Sequence, residues 1–345
     1  MAHGIGMRSE RVLVDVLTSR RSAGLEFAYP LIRWRKAIRD AGIRMRILYA
    51  WPESNGTRAD VRILLEPFLA DRFPSYPTFL AQAESVIPPA LERARTSARR
   101  VVYFDTSDST TSPHLGLLPE VDALLKAELL KDRAHYATQA YAQQPTRWGG
   151  AAPHPLPPAR TEHLHKLMLG WNLAFRNYGH LRRGGRHLHA HGITWGARPT
   201  PVDRPRPMLT FFRGGLAGEQ RGPHRQGAIA ALEGMQRSDV VVGHPVPRHR
   251  YLREMKRSKA VVSPFGHGEM CHRDMEGFLH GAIVVKPSMD HLDTFPNLYV
   301  PDVTYLPTAW DSSDLPRVLG DVDDAYDALR RVALEGQARY REVTE

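Results

Sequence analysis

The strongest constraint on the fold is a recurring alternation in the second half of the chain. Short β-branched runs, MLTFF (208–212), DVVVG (239–243), KAVVSP (259–264) and AIVVKP (282–287), are separated by stretches of helical spacing. The first gap holds the glycine-rich loop RGGLAGEQRG (213–222) and a helix opened by Pro223, a residue suited to a first helical turn. The second holds PRHRYLREMKRS, and the third holds the loop FGHGE (265–269) and the helix MCHRDMEGFLH (270–280), stopped by Gly281. Strand, loop, helix, strand is the pattern of a parallel α/β sheet. The first half repeats it less regularly. RVLVDVL (11–17) is a strand, a helix runs over about 28–41 to Gly42, and 43–50 is the next strand. A helical region over about 78–99 is interrupted by Pro88 and Pro89; VVYF (101–104) is a strand, and 120–136 has the spacing of an amphipathic helix. A last helix spans about 322–341.

At 345 residues the chain exceeds what one hydrophobic core usually serves, so two domains are expected. The Pro-rich basic stretch 180–207 places the boundary near Pro205, giving domains 1–204 and 205–345. The expected fold class is α/β, two Rossmann-like domains facing across a cleft, with a last helix able to pack back on the first domain. No apolar run approaches the ~20 residues that span a bilayer. The N-terminal stretch lacks a signal-peptide pattern, and one cysteine, Cys271, allows no internal disulfide. A reducing, cytoplasmic setting is the expectation. The net charge of +10 leaves three uses open: phosphates of a nucleic acid, anionic lipid at the inner face of a membrane, or a diphosphate substrate.

Chemistry concentrates after the third strand of the second half. Gly266 and Gly268 permit close approach to backbone, and a helix N-terminus follows, which favours an anion. Arg273, Glu276 and His280 are spaced i, i+3, i+7 and share one stripe of that helix, while Glu269 lies in the loop before it. Ionised carboxylates suit sugar hydroxyls, because each accepts several hydrogen bonds; an arginine suits phosphate. A ligand carrying both diols and a diphosphate is a nucleotide sugar. In the first half, the strand 101–104 ends in DTSDST, so Asp105, Ser107 and Asp108 fall where α/β sheets hold ligands.

The run from Glu269 through Glu276-Gly-Phe-Leu-His-Gly281-Ala-Ile-Val-Val resembles the donor-site motif of GT-B glycosyltransferases of the group 1 and exostosin-like kind. Ser258-Lys259 and Pro264-Phe265-Gly266 match the exostosin-like lead-in, and the resemblance covers residues 259–286 closely. It implies that Glu276 holds the nucleotide ribose and that Glu269 lies near the donor sugar. Six residues separate the two glutamates where the family has seven, which makes Glu276 the firmer carry-over. The family also places a basic group toward the diphosphate from the first loop of the second domain. Arg213 occupies that position, with Arg221 and Arg225 as alternates. The implied reaction is metal-independent transfer from a nucleotide diphosphate sugar to a glycan or glycoconjugate, with no cofactor and no nucleic-acid partner. A base, if the reaction inverts, would be Asp105 or Asp108. Two rivals stand beside it: a nucleotide-sugar epimerase or hydrolase of the same fold, and a non-enzymatic basic protein binding nucleic acid or an anionic glycan.

Other motifs weigh less. His187, His189 and His191 alternate as strand neighbours could, but no carboxylate or cysteine joins them as a metal ligand. Asp321-Val-Asp323 is a literal DxD, better explained by acidity at a helix start. Cys271 lies near a helix N-terminus, which can lower a thiol pKa, yet no base partner is evident, so a structural thiol is expected. No GxGxxG follows the first strand, against an NAD enzyme.

Overall fold

A computed structural model describes residues 11–53, 57–107, 109–138, 158–175, 198–214, 223–266 and 268–344. The chain forms two compact units. Among the described residues the first holds 11–106 and 117–125, and the second holds 107–116, 126–175 and 198–344. Residues 107–116 and 126–175, ahead of the expected boundary near Pro205, pack with the second unit.

The first unit begins with β1 (Val12–Leu17), α1 (Ser22–Arg33), α2 (Arg35–Asp40), β2 (Ile43–Leu48) and β3 (Ala59–Leu65). There follow α3 (Pro67–Ala70), α4 (Tyr76–Leu80), α5 (Ala83–Thr96), β4 (Ala98–Asp105) and β5 (Ala123–Lys126). Its strands lie in the order β2-β1-β3-β4-β5, and β2, β1, β3 and β4 pair in parallel. Asp15 is fully buried in β1, opposite Arg46 of β2 and Arg62 of β3. It accepts from Arg46 Nε at 2.6 Å and from Arg62 Nη2 at 2.8 Å. Burial pushes its carboxyl up, the two guanidinium partners pull it down, and the result lies below the ordinary value. A charge in the middle of a strand is thus neutralised by its two neighbours in register.

The second unit holds β6 (Glu128–Leu130), β7 (Leu167–Leu169), β8 (Met208–Arg213), α6 (Pro223–Gly234), β9 (Val240–Gly243), α7 (Arg248–Arg257) and β10 (Ser258–Val262). It continues with α8 (His272–Leu279), β11 (Ile283–Pro287), β12 (Leu292–Thr294), β13 (Leu306–Thr308), α9 (Leu315–Asp324) and α10 (Tyr326–Thr344). The main sheet is parallel in the order β13-β11-β10-β8-β9, and β6 and β12 form a separate antiparallel pair. Every residue of β11 is buried, as a parallel strand covered on both faces requires. Read in chain order, both sheets run 2-1-3-4-5, so the direction of winding reverses between the first and third strands. In the second unit that switch point lies between β8 and β10.

Several expected elements differ. The segment 120–136 is not a helix: a 3₁₀ turn (Leu115–Glu120) leads into β5 and β6, and a second turn covers Arg133–Ala137. A helix would have exposed Lys126 and Glu128, whereas both are buried, 0% and 1% exposed. β3 escaped notice because Asp60 and Arg62 break its apolar run. The first helix begins earlier than expected and divides at Trp34. The break in the 78–99 region falls at 81–82, and α5 runs through Pro88 and Pro89, whose i−4 carbonyls belong to exposed Glu84 and Ser85. The C-terminal helix is two helices, α9 and α10. Gly42 and Gly281 are left-handed, φ +84° and +63°, where helix stops need them.

α8 lies on its sheet at Gly277, where an added Cβ would come within 2.7 Å of Val261 Cγ1 and 2.8 Å of Val284 Cγ2. Gly277→Ala gains helix propensity but overpacks β10 and β11. A net loss of about 1–3 kcal/mol is expected in urea unfolding, and an unchanged midpoint would contradict this close packing. No helix among the described residues is long and apolar enough to cross a membrane.

Candidate active site

Ligands in open parallel sheets bind beyond the carboxyl ends of the strands at the switch point. In the second unit that place lies between the end of β8, Arg213–Gly214, and the end of β10, Ser263–Gly266. Arg273 joins the two: its Nη2 donates to the Arg213 carbonyl at 3.0 Å and its Nη1 reaches the Val262 carbonyl at 3.5 Å. The guanidinium carbon sits 4.5 Å from the centroid of the Phe212 ring, so the cation rests on an aromatic face. Its Nε is buried without a hydrogen-bond partner among the described residues.

Further along the edge, Tyr251 of α7 acts electrostatically on Arg273 and its hydroxyl donates to Glu276 Oε2 at 2.8 Å, while Arg248 Nη1 donates to Glu276 Oε1 at 2.5 Å. Glu276 is buried, and burial, then Glu276, push the Tyr251 hydroxyl far above its ordinary pKa. Arg273 and Glu276 stand one turn apart on α8, and Glu276 is held by a tyrosine that the sequence did not single out. His280 does not join them. It caps the C-terminus of α8, its Nδ1 lies 3.0 Å from Thr200 Oγ1, and burial holds its pKa down to about 3.

Arg213, the residue expected to face the diphosphate, holds an acidic partner within the protein. Its Nε and Nη2 hold Glu254 at 2.7 and 2.8 Å, in a bidentate pair. Gly243 faces it in the neighbouring strand, where a Cβ would come within 2.4 Å of Arg213 Nη1. Gly266 makes similar room, since a Cβ there would stand 2.6 Å from Arg225 Nη2. The loop glycine thus admits an arginine from the first turn of α6 against its backbone. Among the described residues, Arg273 and Arg225 stand with the paired Arg213 at the switch point.

Behind the loop lies a cluster that sequence reasoning missed. Asp274, fully buried, accepts from Lys286 Nζ at 2.6 Å, Tyr299 Oη at 2.7 Å, the Cys271 N–H at 3.2 Å, and the Ser263 hydroxyl. Burial pushes this carboxyl up, Lys286 and the other donors pull it further down, and it lies below the ordinary value. Lys286 also donates to the Glu269 carbonyl at 2.8 Å and so fixes the loop end. Asp274 also completes a capping box at the α8 N-terminus through the Cys271 N–H. Glu269 is 1% exposed and accepts from Thr110, from its N–H at 3.1 Å and its Oγ1 at 2.7 Å. Gly268 beside it is buried. The Cys271 thiol lies 3.1 Å from Ser263 Oγ, and burial pushes its pKa up, as befits a structural thiol.

Asp105 ends β4 in the first unit, fully buried, with charge that acts on the Tyr76 and Tyr103 hydroxyls. Asp108, Arg221, and the histidines at 187, 189 and 191 lie outside the described residues. The DxD carboxylates end α9 instead of starting a helix. Asp323 pairs with Lys259 at 2.6 Å and Arg237 at 2.7 Å, and Asp321 with Arg317 at 2.9 Å. One signal could have found Lys286: a lone lysine inside an apolar run implies a buried partner. Nothing in the sequence links Tyr251 and Arg248 to Glu276, 25 and 28 residues away.

No protein-family model matches the chain, and no curated protein matches its sequence. Among solved structures it is similar to Anabaena Alr3699/HepE in complex with UDP-glucose, with TM-score 0.45 and 11% identity over 96% of this chain and 95% of that one. It is also similar to the pneumococcal O-GlcNAc transferase GtfA in complex with UDP and GlcNAc, with TM-score 0.45 and 8% identity over 84% of this chain and 55% of that one. A third likeness is to S. aureus MnaA with UDP, with TM-score 0.41 and 8% identity over 95% and 92%. Likenesses of this degree do not assign an activity.

Proposed function

We propose that this chain is a glycosyltransferase that takes its sugar from a nucleotide diphosphate sugar, with the donor held by the second unit. The observation that carries the reading is the pair of side chains at the switch point, with Arg273 between the ends of β8 and β10 and Glu276 one helical turn further along α8. The two side chains offer a cation for the diphosphate and a carboxylate for the ribose diol, on neighbouring turns of one rigid element. Arg225, against Gly266, adds positive charge beside the same loop. Growing charge on the leaving diphosphate would be met by these guanidinium groups, a role that needs no metal. The acceptor is a glycan or other glycoconjugate.

The test is calorimetry of the wild-type chain against UDP-, GDP- and dTDP-sugars. One donor is expected to bind, and binding of none sinks the reading. With that donor, release of nucleoside diphosphate is then followed with and without a mixed glycan acceptor. Release that needs acceptor is the transferase outcome, release without it is that of the hydrolase rival, and conversion of the donor to its epimer with no net release is that of the epimerase rival.

A further inference from the structure

Resting on that reading, the contacts of Glu276 point to a second event at the same carboxylate. Both of its oxygens are engaged within the protein, one by Tyr251 and one by Arg248. The two partners differ in freedom. Tyr251 packs edge-on against Phe211 of β8, with ring centroids 5.4 Å apart. Arg248 is the first residue of α7, and its side chain is 47% exposed while that of Glu276 is 8% exposed. Arg248 also lies over the Tyr251 ring, 5.4 Å from its centroid, and a ribose diol reaching for the Glu276 oxygens meets this more exposed partner first. The freed guanidinium would then stand beside a ligand that carries two phosphates.

We infer that Arg248 is an exchangeable counter-ion: it occupies Glu276 in the free protein and moves to the diphosphate when a nucleoside diphosphate binds. The exchange spares the buried carboxylate from standing uncompensated, and it makes the phosphates part of the condition for ribose binding. A nucleoside without phosphates must displace Arg248 and gets nothing in return. A nucleoside diphosphate regains the lost ion pair. Arg248 therefore sets specificity for the phosphorylated ligand.

The experiment uses the full chain and the nucleoside diphosphate of the donor that binds best, with the matching nucleoside measured by competition calorimetry. In Arg248→Ala the nucleoside is expected to bind roughly threefold to fivefold tighter, the size of a half-exposed ion pair no longer broken. The advantage of the diphosphate over the nucleoside is expected to shrink roughly tenfold, the size of one charge-assisted contact to phosphate. Opposite signs for the two ligands are the signature. Parallel weakening of both would make Arg248 a structural residue, and an unchanged nucleoside affinity would mean no competition at Glu276; either overturns the inference. A wild type that binds no nucleotide at all is a different result, and it strikes the proposed function itself.

Discussion

Lys286→Met is expected to lower the stability of the chain by about 3–5 kcal/mol, measured as the urea unfolding free energy. Lys286 and Asp274 are both fully buried, and their contact is 2.6 Å. Removing the cation leaves a carboxylate in the interior with only neutral donors. Removing both charges is gentler, so Asp274→Asn added to Lys286→Met is expected to recover part of the loss. The pH dependence should invert. In the wild type the Asp274 carboxyl lies below its unfolded value, so its contribution is present above about pH 4 and is lost as pH falls through the folded pKa. Without Lys286 burial dominates and the folded pKa rises above the unfolded one. The variant then holds a neutral acid, whose contribution is lost as pH rises. Its deficit relative to wild type should be larger at pH 8 than at pH 5. A deficit below about 1 kcal/mol at both values would show that the pair does not stabilise the loop.

Glu276→Gln is expected to weaken donor binding roughly hundredfold, because a diol loses its hydrogen bonds to a charged acceptor. The amide keeps the shape and can still accept from Tyr251, so the urea midpoint should move little. Glu276→Ala should weaken binding at least as much, and it also leaves the Tyr251 hydroxyl without its carboxylate acceptor. Calorimetry with the best-bound donor decides the functional half. A folded Glu276→Gln that binds as tightly as wild type removes this carboxylate from the donor site.

The two halves of the site were unequally legible. Glu276 and Arg273 could be paired from sequence because three residues on a helix are one turn, a distance fixed by local geometry. The stops at Gly42 and Gly281 were legible for the same reason: a left-handed residue is a local demand. The segment 120–136 misled because its apolar spacing also fits short strands. What decided the matter was the neighbour waiting for it, since the Val101 N–H bonds the Asp122 carboxylate at 2.8 Å. Arg213, read as the first loop residue, is the last of its strand, and its partner Glu254 lies 41 residues away, where no spacing rule reaches.

The sequence by itself determined the alternation of strand and helix in the second half, the glycine loop, and the stripe of Arg273 and Glu276. These follow from period, propensity and turn chemistry, which act over a few residues. Tertiary structure alone decided which charges meet: Asp15 with Arg46 and Arg62, Asp274 with Lys286, Glu269 with Thr110, and Glu276 with Tyr251 and Arg248. A charge buried in a sheet or beneath a loop must find its partner in space, and strand order, not chain position, sets which side chain stands there.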